Sequence, residues 1–246
     1  RINWTMSLSF RNVKTYYDKI GRKLNQYNKQ NISKNLTRYY DGGSPTALWA
    51  VRSAGIDPAT GQEIFLTKDG KPTFQHNYDN EVVVGNTNPD VEGVWGNSLY
   101  WKGFSLNLHI RYSLGGQKFN NTLYEKVENI SVTGLSQNQD KRALYDRWQK
   151  PGDHVFFKAI DGNVSKADTK ESSRFVMDDN EFYFSTVNLS YRLDGKKFDW
   201  MKRVGITSAT LGLYMEDICR FSTIKMERGI DYPFSRQISM SLNVVF

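Results

Sequence analysis

The chain has little of what enzymatic and metal chemistry usually requires. A single cysteine, Cys219, among 246 residues excludes an internal disulfide framework and any Cys-based zinc site; it is expected near a strand end, acting as a small hydrophobe. Three histidines are present, His76, His109 and His154. The first and third fall in loop-like sequence and the second on the polar parity of a strand, so neither a metal site nor a catalytic histidine is expected, and no cofactor. Asp178, Asp179 and Glu181 lack the spacing and the glycine of a calcium-binding EF-hand loop and are taken as the solvated start of a strand. No motif places an acid/base pair, so the chain is not expected to be an enzyme. Long apolar runs are missing as well. Nothing approaches the roughly 18 apolar residues of a membrane helix, and the mean hydropathy is -0.60. A membrane β-barrel stays open, because strands that alternate lipid-facing and lumen-facing residues average to mild hydropathy. The N-terminal Arg1-Ile-Asn-Trp4 has no basic region followed by an apolar one. Either a signal has been removed or the start of the protein lies upstream; with a strand beginning almost at once at Trp4, the second is expected.

What is present is alternation. In the last eleven residues Ile238, Met240, Leu242, Val244 and Phe246 share one parity, and Gln237, Ser239, Ser241 and Asn243 the other. A free apolar edge invites wrong pairing, and closing a sheet into a barrel removes it. Ile238 to Phe246 is therefore expected to be the closing strand of a barrel. Phe104, Leu106, Leu108, Ile110, Tyr112 and Leu114 alternate with Ser105, Asn107, His109, Arg111 and Ser113. Further strands are expected over Trp4 to Arg11, Val91 to Leu99 (interrupted at Gly93 and Gly96), Tyr183 to Leu193 and Ala209 to Met215. The Tyr183 strand is expected to carry Tyr183, Val187, Leu189, Tyr191 and Leu193 on its apolar side.

The connections run long, short, long, short and medium, the asymmetry of outer-membrane barrels with short periplasmic turns and long extracellular loops. Asp41-Gly42-Gly43-Ser-Pro45, Gly55 to Gly61 and Asp69-Gly-Lys-Pro72 supply turn chemistry in the first long connection. Within it Ala47 to Val51 and Glu63 to Thr67 could pair as a hairpin. In the second, Thr122 to Glu128 and Asp140 to Gln149 are expected to be helical, the latter stopped by Pro151 and Gly152. The fold expected is all-β: six or so antiparallel strands, residues 1–246 forming part of a larger transmembrane barrel.

The formal charge is +7. Between Arg11 and Arg38 lie eight basic residues against Asp18 alone, so one segment carries the whole excess. Concentrated there, it argues against nucleic-acid binding and for a solvated face, or a patch facing lipopolysaccharide phosphates or an anionic substrate.

Several stretches, in order, resemble the SusC-like (RagA-like) TonB-dependent outer-membrane transporters of Bacteroidota. Tyr17-Asp-Lys-Ile-Gly-Arg-Lys-Leu24 is similar to an "NKI..L" segment, with Asp18 in place of the usual Asn. Ala54-Gly-Ile-Asp-Pro-Ala-Thr-Gly61 resembles a "GxDPxTG" loop. Gly85-Asn-Thr-Asn-Pro-Asp90 with Tyr100-Trp-Lys-Gly-Phe104 resembles a "G...P" and "YKGF" pair. Asp146-Arg-Trp-Gln-Lys-Pro-Gly-Asp153 resembles "DRW..PGD", Ser173-Arg-Phe-Val176 resembles "SRFV", and Tyr232-Pro-Phe-Ser-Arg236 resembles a "YP.PR" ending. The resemblance implies the C-terminal part of a 22-stranded barrel, with the plug and first strands absent from this chain. It also implies import of oligosaccharides or peptides, TonB engaged through the missing N-terminal region, and a SusD-like surface lipoprotein as a lid.

On that reading the polar parity, with His109, Arg111 and Arg192, lines the lumen, and the apolar parity meets outer-membrane lipid and lipopolysaccharide. The C-terminus is expected to be periplasmic. Candidate substrate contacts are loop aromatics able to stack on ligand faces: Trp49, Trp95, Tyr145 and Trp148. Trp148 could instead anchor its helix, and Trp95 could belong to an interfacial girdle. The other reading is a soluble β-rich carbohydrate-binding or adhesion domain, whose polar parity faces water.

Overall fold

The computed structural model describes residues 1–130, 136, 138–160, 169–225 and 237–246. The chain is all-β with a few short helices, and forms two compact units: Arg1–Asn12, Pro89–Gly115 and Asp179–Phe246 in the first, Val13–Asn88 and Gly116–Asp178 in the second.

The first unit is built on a single sheet. Its strands are β1 (Ile2–Arg11), β6 (Val91–Trp101), β7 (Phe104–Phe119), β8 (Val176–Asp194), β9 (Ser208–Ser222) and β10 (Ile238–Val245), hydrogen-bonded in the order β1-β6-β7-β8-β9-β10. Register carries each strand's parity across the sheet. Trp4, Leu99 and Leu106 form one row, and Leu8, Trp95 and Ile110 another. Tyr191, Leu211 and Leu242 continue the same side on the next strands. On the opposite side Thr5, Ser98 and Asn107, then Ser190, Gly212 and Ser241, are in register. One side is thus apolar and the other polar. Ile110 and Ala209 are buried, whereas Phe10, Met240 and Leu242 are 77%, 71% and 69% exposed.

β6 runs unbroken through Gly93 and Gly96, contrary to the interruption expected there. Gly93 is required by a close approach: a Cβ on it would meet the Ser9 carbonyl, towards which the Tyr112 hydroxyl donates a hydrogen bond of 2.7 Å across the glycine. Lys102 and Gly103 both have positive φ, giving the tight two-residue turn that joins β6 to β7.

β8 departs from the expected pattern. Its pairing with β9 shifts between Phe184 and Thr186, and the alternation changes phase there. Phe182 lies 6.4 Å from the Tyr112 ring and Phe184 lies 6.0 Å from the exposed Phe221 ring, so the even positions are apolar before the shift and the odd ones after it. Tyr183 therefore belongs to the polar side, not the apolar side expected. Strands β7, β8 and β9 are also longer than their alternation alone marked out, and Cys219 lies three residues before the end of β9.

The second unit contains a four-stranded sheet, β4-β3-β2-β5, of β2 (Ala47–Ile56), β3 (Glu63–Leu66), β4 (Pro72–Thr73) and β5 (Glu81–Asn86). The pairing expected between Ala47 to Val51 and Glu63 to Thr67 does not form. Ala47 to Val51 pair with β5, and Arg52 to Ile56 pair with β3 beyond an irregularity between Ser53 and Gly55. A separate core joins Phe119, Leu123, Val127, Ala143, Phe157 and Phe175. Leu123–Glu128 is a π-helical turn, as the helix expected at 122–128.

The second expected helix is only α2 (Arg142–Tyr145). It stops because the backbone turns to a neighbouring segment: the Phe157 amide donates to the Asp146 carbonyl at 3.0 Å, and the Trp148 amide to the Phe157 carbonyl at 3.1 Å. Helices α1 (Asn25–Asn31) and α3 (Asp199–Arg203) were not expected. In the basic segment Arg38 is buried rather than solvated. The Tyr232 to Arg236 motif lies outside the described residues.

Candidate functional site

The polar side of the six-stranded sheet holds a groove of about 520 Å³. Two cross-strand rows build it, Ser9, Val94 and Arg111, then Arg11, Glu92 and Ser113; Glu181, Tyr183 and Arg220 line it as well, together with Phe10, Gly93 and Tyr112 of the row between those two. Arg11 and Glu92 face each other at 3.6 Å, both well exposed. Glu181 and Arg220 pair at 2.6 Å, and the Arg220 guanidinium lies 4.7 Å from the Tyr183 ring centroid. Three guanidiniums and two carboxylates line the groove, with two tyrosines, so it suits polar or zwitterionic contacts.

Of the expected lumen-facing residues, Arg111 is in this groove. His109 contacts the Thr186 hydroxyl at 3.1 Å through Nδ1, a cross-strand pairing within the sheet. Arg192 is exposed, and its backbone amide donates to the Gly103 carbonyl at 2.9 Å. Alternation pointed to Arg111; Arg11, Glu92, Glu181, Tyr183 and Arg220 it did not single out. The phase change from Phe182 and Phe184 to Val187 and Leu189 is the sequence signal that would have brought in Tyr183 and Glu181.

The apolar side is an uncovered band bounded by aromatic rows. At one end are Trp101, Phe104 and Tyr191, the last two with ring centroids 4.3 Å apart. At the other are Phe10, Tyr112, Phe182 and Phe221. On β1 the rows are eight residues apart, from Ile2 to Phe10, about 27 Å along a strand rising ~3.4 Å per residue. Trp95 sits within this band and is 40% exposed. The expected closing-strand residues Ile238, Met240, Leu242 and Val244 continue it in register on β9, and Phe246, just past β10, is 80% exposed.

In the second unit the motif residues build the scaffold. The Asp57 carboxylate accepts from the Thr60 hydroxyl at 2.6 Å and the Ala59 amide at 3.2 Å, bonds that hold its pKa below the usual carboxylate range. Trp148 Nε1 donates to the Pro58 carbonyl at 2.9 Å, as does the Gly152 amide. The "GxDPxTG" and "DRW..PGD" stretches are thus docked on one another, and a Cβ at Gly61 would collide with the Trp148 ring.

Arg147 is buried and donates to the Ala143 carbonyl at 2.8 Å and to that of Lys158 at 3.1 Å. Burial pushes its pKa down, and nearby Glu128 opposes this. Arg174 bridges Glu63 at 3.0 Å and Glu128 at 2.8 Å, with all three side chains at most 4% exposed. Burial works against its charge; hydrogen bonds and attraction from the two glutamates outweigh that and hold it above the ordinary arginine range. Ser172 and Thr169 add hydroxyl donors to Glu63 and Glu128 at 2.6 and 2.9 Å.

The structure does not gather the four candidate aromatics. Trp49 braces the Tyr40 ring at 5.1 Å, Trp148 is held against Pro58 and Gly61, and Tyr145 is 73% exposed at the end of α2. No ring contact joins any two of these among the described residues. No cluster of side chains suited to a metal ion occurs among the described residues.

No protein-family model matches the chain, and no curated protein matches it. Solved structures do. The chain superposes on a structure of the RagAB peptide transporter with a TM-score of 0.72 at 19% identity, covering 99% of this chain and 27% of that one. A RagAB peptide importer in an open-open state gives 0.72 at 20% identity over 100% of this chain and 27% of that one. Its closed-closed state gives 0.71 at 18% identity, again with 27% of that chain covered. The chain therefore spans about a quarter of the length of these structures, and the likeness is one of fold.

Proposed function

We propose that the chain is the C-terminal wall of a TonB-dependent outer-membrane transporter of the SusC or RagA kind, moving oligosaccharides or peptides inward without chemical change. The carrying observation is the one-sided sheet: a single layer with an uncovered apolar face between two aromatic rows. Such a face is stable against hydrocarbon, and its span along the strand suits the roughly 25 Å apolar band of an outer-membrane barrel. In water it would be a large exposed apolar patch, which argues against the soluble adhesion or carbohydrate-binding reading.

The polar side, with the Arg11, Arg111 and Arg220 groove, then lines the aqueous interior. The long connections are extracellular and the C-terminus periplasmic. A SusD-like surface lipoprotein is the expected lid partner, TonB acts through an N-terminal region outside this chain, and lipid with lipopolysaccharide surrounds the wall. The RagAB structures support this by fold, and their peptide cargo makes peptides one of the two cargo classes.

Membrane fractionation tests the proposal. Protein carrying this chain should stay with the outer-membrane pellet through an alkaline carbonate wash and come off only in detergent. Recovery of folded, monodisperse protein from the aqueous fraction would overturn it.

A further inference from the structure

We propose that the connection between β8 and β9, residues 195–207, is a docking surface for anionic phospholipid headgroups, with Trp200 and Val204 set at the headgroup level and Lys196, Lys197 and Arg203 meeting phosphate. The inference rests on the sheet being a membrane wall, and on that reading the lipid belongs to the periplasmic leaflet. The position of the connection follows from the sheet. Tyr191 packs on Phe104 in the aromatic row that ends the apolar band, and β8 runs only three residues further, to Asp194. The Arg192 amide donates to the Gly103 carbonyl at 2.9 Å, which brings the turn between β6 and β7 alongside; there Lys102 Nζ lies 5.3 Å from the Trp101 ring centroid. The connection therefore begins where the apolar band gives way to water.

Both of its ends are tied to the sheet. The Gly195 amide donates to the Thr207 carbonyl at 2.9 Å, and the Thr207 amide to the Val245 carbonyl of β10 at 2.7 Å. Between them α3 is held by Met201, which is fully buried, and the Ile206 amide closes the turn on the Met201 carbonyl at 2.9 Å. Gly205 takes the positive φ, 75°, that ends a helix in this way. Trp200 on α3 and Val204 just past it are four residues apart and so share one side of the turn. Each is 57% exposed. A large indole and a branched aliphatic are thus presented outward on a fixed frame, which lowers the ordering cost of binding.

Charge decides the partner. Residues 194–203 carry Lys196, Lys197, Lys202 and Arg203 against Asp194 and Asp199. The Asp199 carboxylate is taken by Lys202 at 3.0 Å, and that of Asp194 accepts from the Lys196 backbone amide at 3.0 Å. Lys196, Lys197 and Arg203 are exposed, and their side chains have no ion-pair partner among the described residues. An indole beside unpaired cations matches a membrane interface, where the ring body meets the upper acyl chains and the cations meet phosphate. A zwitterionic headgroup offsets its phosphate with its own ammonium, so an anionic headgroup is selected. A soluble anion would leave Trp200 and Val204 in water. A periplasmic protein would need a contact of about 1,000 Å² or more, which a step of two apolar side chains does not supply.

The test uses the full protein carrying this chain in phosphatidylcholine bilayers that contain a minority of phosphatidylglycerol, with one of the two lipids brominated near the top of its acyl chains. Quenching of Trp200 is read as the difference between the wild type and Trp200→Phe. Per lipid molecule, phosphatidylglycerol should quench about fivefold more than phosphatidylcholine, the effect expected of a cation near an anionic surface. Replacing Lys196, Lys197 and Arg203 together by glutamine should bring the two lipids to parity, whereas Lys71→Gln, in another connection, should leave the preference intact. Circular dichroism checks that each variant is folded. Equal quenching in the wild type, or a preference that survives in the folded triple variant, would overturn the site. Trp95, 40% exposed within the band, reports on the sheet separately, as the difference against Trp95→Phe. Quenching of Trp95 without Trp200 leaves the membrane reading standing and removes this site, giving the α3 surface to a periplasmic protein; absence of both removes the membrane reading as well.

Discussion

His76 shows how a single side chain can tie stability to pH. Its ring lies 5.1 Å from Phe65 and 4.6 Å from Tyr78, both edge-on, with Nε2 3.4 Å from the Glu171 carbonyl. Burial lowers its pKa, and the Glu171 carbonyl only partly offsets this. A depressed pKa means that the folded chain binds the proton less well than the unfolded one. The stability it contributes is therefore complete above the ordinary histidine value and is lost as pH falls through the depressed one. Melting temperatures between about pH 8 and about 5 should fall more steeply for the wild type than for His76→Phe, which keeps the aromatic contacts. Parallel slopes would refute the assignment. The position of His76 in a loop was legible from turn chemistry; the sandwich was not, because it depends on residues brought in by β3 and a short turn before β5.

The elements of the second unit are tied together by buried arginines. Arg174, from the short turn before β8, reaches Glu63 on β3, 111 residues away in the chain, and Glu128 at the end of the π-helical turn. Removing the cation strands two carboxylates in a dry site, which costs about 3–5 kcal/mol. Arg174→Ala should destabilise by that amount in urea titrations, and adding Glu63→Gln and Glu128→Gln to it should recover part of the loss. A cost under about 1 kcal/mol, as for an exposed pair, would contradict the reading. Motif stretches marked where such residues occur, but no local pattern says that Arg147 and Arg174 turn inward, since their partners are distant in sequence. Strands, by contrast, were legible because parity is local. β8 shows where that ends: a shift at Ser185, whose hydroxyl donates to the His109 carbonyl at 3.0 Å, moves Tyr183 to the other side. Alternation averaged through the shift hides it.

For the molecule as a whole, everything proposed about import depends on the two sides of one sheet meeting different solvents. The sequence showed this as parity, and the structure as cross-strand rows that keep apolar and polar residues apart over six strands. Cargo contacts were less legible, because aromatic residues in long connections serve structure as readily as ligands: Trp148 is held by Pro58, and Trp49 by Tyr40. The most direct measurement is a nitroxide scan of β10 in lipid bilayers, one label at a time from Ile238 to Phe246, with Cys219 replaced by serine. Collision with oxygen should peak at positions 238, 240, 242 and 244, and collision with a water-soluble nickel chelate at 239, 241 and 243. Uniform access to the chelate, or even-numbered positions closed to both reagents as in a dry core between sheets, would contradict the account.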